Sequence, residues 1–106
     1  MSDILNAIGN TPIVKLKKIV PIGCGEIYVK LEAFNPTGSK KDRMALSMIS
    51  EAEKRGVLKK GMTVVEYSGG STGAGLAFVC SLKGYNFRLV TADVFGKEKI
   101  DLMRSL

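Results

Sequence analysis

The sequence predicts an α/β fold, an open and mostly parallel sheet flanked by helices. Three observations predict it. The stretches "EIYVKLE", "MTVVEY" and "NFRLVTAD" read as strands, the first alternating Ile27, Val29 and Leu31 against Tyr28, Lys30 and Glu32. After them, "RMALSMISEAEKRG", "AGLAFVCSLKG" and "FGKEKIDLMRSL" carry apolar residues at helical spacing, and the first two stop at Gly56 and Gly84. The order strand, helix, strand, helix, strand, helix calls for crossover connections, which lay helices on the faces of a parallel sheet.

The chain opens on "DILNAIGNTPIVKL", a short helical or irregular lead, a turn through Gly9 to Pro12, and a brief strand, with Pro12 biasing Thr11 toward extended backbone. A loop holding Pro21, Gly23 and Gly25 leads to the alternating strand. "NPTGSKKD" follows it and opens the first helix, in which Met44, Leu46, Met48 and Ile49 form the apolar stripe. The run "SGGSTG" reads as a glycine-rich turn between the second strand and an apolar helix. In the last segment Ile100, Leu102, Met103 and Leu106 keep a helical pattern to the final residue. No internal repeat or low-complexity tract interrupts this order.

At 106 residues, with 45% hydrophobic and 25% charged, the composition is that of one globular domain. A chain of this size buries roughly two-thirds of its unfolded surface, enough for a single core. The formal charge of +6 raises the question of nucleic acid. Its cations are scattered in pairs such as Lys17-Lys18 and Lys59-Lys60, without interleaved aromatic residues, so a solvated surface is expected and a nucleic-acid partner is not. Cys24 and Cys80 lie far apart in no metal-binding spacing, and the chain has no His, so no metal site is expected. Two free thiols, Cys80 in an apolar helix and Cys24 in a loop, imply a reducing, cytoplasmic setting. The start "MSDILNAIGNTP" carries no leader pattern, and no segment approaches the 18 or so apolar residues of a membrane span.

Two loops carry the chemistry. In "NPTGSKKD", Ser39 reads as a helix N-cap and Asp42, three residues on, as its capping-box partner. This leaves Lys40, Lys41 and Arg43 at the positive end of the helix dipole, where a cation costs about 0.3–1 kcal/mol. The cost favours a neutral amine, and only a neutral amine attacks a carbonyl. A lysine on a rigid element facing a crevice suits imine chemistry. From position alone, however, charged residues read as surface residues.

In "SGGSTG", Gly69, Gly70 and Gly73 permit close backbone approach, while Ser68, Ser71 and Thr72 offer hydroxyls beside a helix N-terminus. The run matches neither a P-loop nor G-x-G-x-x-G. A carboxylate fits it as well as a phosphate, and a plain tight turn has the same composition. Both loops are expected beyond the carboxyl ends of their strands, facing one crevice. A lysine opposite a carboxylate cradle describes amino-acid chemistry through an imine.

The segments "IGNTPIVKL", "IYVKLEAFNPTGSKKDRMAL", "VVEYSGGSTGAGLAFV" and "FGKEKIDLMRSL" resemble, in order and spacing, the leading part of cysteine synthase (O-acetylserine sulfhydrylase), among the fold-type II pyridoxal-phosphate enzymes. The resemblance covers essentially the whole chain, and the Asp42-Arg43 ending of the Asn-Pro-x-Gly-Ser-x-Lys-Asp-Arg motif is closer to cysteine synthase and cystathionine β-synthase than to threonine dehydratases. It implies that Lys41 holds pyridoxal 5'-phosphate and acts as base at the substrate Cα, while Lys40 occupies a variable position. It also implies that residues 68–73 form the substrate-carboxylate loop, with Ser68, Gly69, Gly70, Ser71 and Thr72 binding substrate and Ser71 touching the cofactor ring. Here Ser71 replaces the family's usual Asn, and Gly69 its Ser.

By the same resemblance residues 1–106 are one truncated α/β domain, with 1–34 the lead and first strands and 35–106 the cofactor and substrate-loop part. The resemblance implies a carboxyl-terminal domain that cups the cofactor phosphate, which is expected to be absent from these 106 residues. The implied reaction converts O-acetyl-L-serine and sulfide to L-cysteine and acetate, on a small amino-acid substrate, in a homodimer when complete. Two alternatives stand beside it: a catalytically inactive fragment that binds anions or a partner through exposed apolar surface, and a cystathionine β-synthase-like activity in the full-length form.

Overall fold

Four strands and three α-helices build the molecule, as described by a computed structural model for residues 3–106. Met1 and Ser2, part of the start expected to carry no leader, lie outside the described residues. The lead forms a single 3-10 turn, Ile4–Ala7, capped by the Asp3 carboxylate, which accepts the Leu5 N–H. Strand β1 is Ile13–Lys15 and β2 is Tyr28–Lys30. A second 3-10 turn, Glu32–Phe34, leads into α1, Lys41–Lys54. Then come β3, Thr63–Tyr67; α2, Ser71–Lys83; β4, Asn86–Val90; and α3, Lys97–Ser105.

The α/β class and the parallel sheet are borne out. Strands β3 and β4 run parallel, with Thr63 opposite Asn86 and Tyr67 opposite Val90, and α2 is the helix between them. Strand β2 does not join that sheet. It pairs antiparallel with β1, Ile13 opposite Lys30, because the turn-rich 16–27 segment returns the chain directly alongside.

Helix α2 is the centre of the core. On one side Leu76, Val79 and Cys80 pack with Ala45 and Ile49 of α1; on the other Ala74 and Ala77 pack with Met103 of α3. Val64, Phe87 and Leu89 close the core from the inner face of the parallel strands. The outer face leaves Val65, Tyr67 and Val90 exposed. Helix α2 ends as its glycine predicts. Gly84 takes φ +76°, and the Tyr85 N–H reaches back to the Cys80 carbonyl at 2.9 Å, satisfying an end carbonyl. Among the described residues no helix is long and apolar enough to cross a membrane.

Candidate active site

Lys41 is the first residue of α1, half-buried, while Lys40 before it is exposed. The end of the helix that carries Lys41 rests on α2. At the place a Cβ on Gly75 would take, the Lys41 carbonyl oxygen lies at 3.0 Å and Asp42 Oδ1 at 3.3 Å. A glycine inside a helix costs about 1 kcal/mol relative to alanine. Here it lets the two helix starts meet backbone to backbone.

The expected capping box between Ser39 and Asp42 is not formed. The Ser39 carbonyl already accepts the Asp42 N–H at 3.2 Å, and the Lys40 carbonyl accepts the Arg43 N–H at 3.2 Å, so a tight turn satisfies these donors. Lys40 is the N-cap residue and makes no side-chain cap bond, and Ser39 Oγ accepts the Lys41 N–H at 3.2 Å. Asp42 turns inward instead. It is fully buried, and its carboxylate accepts the Thr37 N–H at 2.7 Å and the Thr37 hydroxyl. A buried carboxylate needs donors, and Thr37 supplies two.

Arg43 ties this turn to the lead. Its Nε and Nη2 donate to Glu32 Oε2 and Oε1 at 2.8 and 3.0 Å, and Nη2 also donates to Thr11 Oγ1 at 3.1 Å. Asn35 Nδ2 donates to Glu32 Oε2 at 2.8 Å, and Asn35 Oδ1 accepts the Gly9 N–H at 2.8 Å. The Arg43 guanidinium, with the Thr11 hydroxyl, holds the Glu32 carboxyl down to about 2. Glu32 in turn pushes the guanidinium up. Gly9 takes φ +90°, a conformation that favours glycine, and the Arg43 guanidinium lies close over it, 2.9 Å from the place a Cβ would take.

The glycine-rich loop begins at the carboxyl end of β3. Ser68 is buried, and its Oγ accepts the Gly70 N–H at 3.2 Å and the Gly73 N–H at 3.0 Å, so this hydroxyl organises the loop from within. The ring of Phe95 stands where a Cβ on Gly69 would be. Tyr67 meets that ring edge to face, centroids 6.2 Å apart. Gly70 is the N-cap residue of α2, without a side-chain cap bond. Ser71 and Thr72 form the half-buried first turn of α2, where backbone N–H groups have no intrahelical acceptor. Gly73 lies under Met103, whose Sδ would be 2.5 Å from a Cβ there.

The fold therefore brings the start of α1, with Lys41, beside the start of α2, with Ser71 and Thr72. Of the six residues singled out in the sequence, Ser68 faces inward and Gly69 is covered; Lys41, Gly70, Ser71 and Thr72 line the paired helix starts. Sequence reasoning passed over Tyr67, Phe95 and the Glu32, Arg43, Thr11 and Asn35 clamp. Arg43 lay within the quoted motif, but its partner Glu32 is eleven residues away and carries no periodic signal. Among the described residues no group of three His, Cys, Asp or Glu side chains could hold a metal ion.

Known proteins resemble this chain in sequence and in fold. A family model described as pyridoxal-phosphate dependent enzyme matches residues 4–106. Cysteine synthase B of Salmonella typhimurium is 49% identical over 105 residues, which are 99% of this chain and 35% of that protein. The solved structure of a hydrogen sulfide-producing enzyme from Fusobacterium nucleatum superposes with a TM-score of 0.92 at 47% identity, over 99% of this chain and 34% of its own. That of O-ureido-L-serine synthase superposes with a TM-score of 0.92 at 45% identity, over 99% and 33%. The chain spans about a third of the length of the relatives it matches.

Proposed function

Because this chain belongs to the pyridoxal-phosphate dependent enzyme family, we propose that it is the leading part of an enzyme that makes L-cysteine and acetate from O-acetyl-L-serine and sulfide. The observation that carries the reading is the junction of α1 and α2, where the backbone of the half-buried Lys41 meets α2 at Gly75, and it supports an amine working beside a helix start able to receive a carboxylate. The likeness to cysteine synthase B supports the choice of substrate.

The residues fit the cofactor by the chemistry of their donors. Lys41 offers a primary amine at the start of α1 to an aldehyde, and the Ser71 hydroxyl lies at the start of α2. When bound, pyridoxal phosphate supplies an electron sink for the charge left at the substrate Cα. The first-turn N–H groups at Ser71 and Thr72 receive the substrate carboxylate. Ser68 keeps those donors aimed by holding Gly70 and Gly73. The Lys41 amine takes the Cα proton, the Cβ–O bond breaks and acetate departs with that electron pair. A Cβ–S bond then forms to sulfide, and Lys41 returns a proton to Cα. Asp42, held by Thr37, and Arg43, held by Glu32, fix the backbone on which Lys41 turns.

The test is cysteine formation from O-acetyl-L-serine and sulfide by the protein carrying this sequence. Activity lost in Lys41→Ala and retained in Lys40→Ala supports the reading. Activity retained in Lys41→Ala overturns it.

A further inference from the structure

Gly69 has no room for a side chain, because the ring of Phe95 stands where its Cβ would be. The loop holding Gly69 follows β3 and the segment holding Phe95 follows β4. These strands are parallel, with Tyr67 opposite Val90, so both segments leave the sheet at one carboxyl edge, where ligands of such sheets bind. Phe95 is held there. Its N–H donates to the Ala92 carbonyl at 3.2 Å, its ring and that of Tyr67 form a T-shaped pair with centroids 6.2 Å apart, and Phe95 is half-buried while Val94 and Gly96 beside it are exposed.

Two unlike surfaces thus meet at this edge. The start of α2, with Ser71 and Thr72, presents donors suited to one carboxylate. The aromatic ring presents none, and the Ser68 hydroxyl beside it is turned inward to Gly70 and Gly73. We propose that Phe95 is a specificity-determining residue of the loop, restricting it to α-amino acids whose carboxylate is their only anionic group and excluding those with a phosphate on the side chain. A second anion against the ring would lose hydration without gaining a donor. The proposal rests on the reading of residues 68–72 as an amino-acid carboxylate site.

The test is titration of the isotope-labelled protein with L-serine and with O-phospho-L-serine, following the backbone amide signals of residues 69–72 by NMR. In the wild type these signals shift saturably with L-serine, and O-phospho-L-serine binds at least about tenfold more weakly, the scale on which a single pocket contact discriminates. Phe95→Ala opens the wall to water and Phe95→Gln places a donor on it, so each brings the two affinities together. Should either variant, with a dispersed native spectrum, bind L-serine and keep the wild-type ratio, the role of Phe95 is overturned while the loop reading stands. No saturable shift with either ligand in any of the three proteins overturns both.

Discussion

The carbonyl oxygen of Lys41 and the α-carbon of Gly75 face each other so closely that a Cβ on Gly75 would stand 3.0 Å from that oxygen. This contact joins the first turn of α1 to the second turn of α2, and so sets the backbone that carries Lys41 relative to the helix that follows the glycine-rich loop. Gly75→Ala trades a gain of about 1 kcal/mol in helix propensity against about 1–3 kcal/mol of overpacking on backbone that has little freedom to move. Net destabilisation is expected, read as a lower urea midpoint with an unchanged slope.

Asp42 is fully buried with two donors from Thr37, so the carboxylate organises the turn before α1. Asp42→Ala leaves those donors without their acceptor and should cost about 1–3 kcal/mol. Ser39→Ala, which removes only a 3.2 Å bond to the Lys41 N–H, should cost less. A capping box would predict comparable losses. Chemical denaturation of the two variants separates the cases.

The clamp between Glu32 and Arg43 makes stability depend on pH in one direction. Its folded value of about 2 lies below the ordinary 4.5, so ionised Glu32 contributes stability that is complete above about 4.5 and is lost as the pH falls toward 2. Glu53, lowered by Lys83 and then by Tyr85, acts in the same sense. Glu32→Gln should therefore be less stable than wild type near neutrality, with the difference shrinking between pH 4.5 and 2. Thermal melts across that window measure it.

The two cysteines should react very differently. Cys24 is exposed, whereas Cys80 is buried in the core and burial pushes its thiol up, away from the reactive thiolate. Iodoacetamide at neutral pH should alkylate Cys24 in the native protein and reach Cys80 only after denaturation, as mass spectrometry of the peptides would record.

Local pattern made much of the fold legible. The order of strands and helices followed from periodicity, and Gly56 and Gly84 marked helix ends because each takes a positive φ there. Helix α2 begins at Ser71 rather than at Ala74, where the apolar run starts, because Ser71, Thr72 and Gly73 are small and give little periodic signal. The pairing of β2 with β1 depends on how the 16–27 segment returns, which no side-chain pattern reports.

Within the site, Lys41 and the residues of the loop were legible as types and positions. The inward turn of Asp42 and Ser68 was not, because each answers to donors placed by the tertiary fold. Nor was the cover of Phe95 on Gly69, which joins residues from the ends of two different strands.

The central claim is that Lys41 is the amine this fold prepares for an aldehyde. Its most direct test is incubation of the protein with pyridoxal phosphate, reduction with borohydride and mapping of the modified peptides. An adduct concentrated on Lys41, with its exposed neighbour Lys40 unmodified, is the predicted result. Modification spread over the surface lysines, with Lys41 no more reactive than Lys40, would contradict the account.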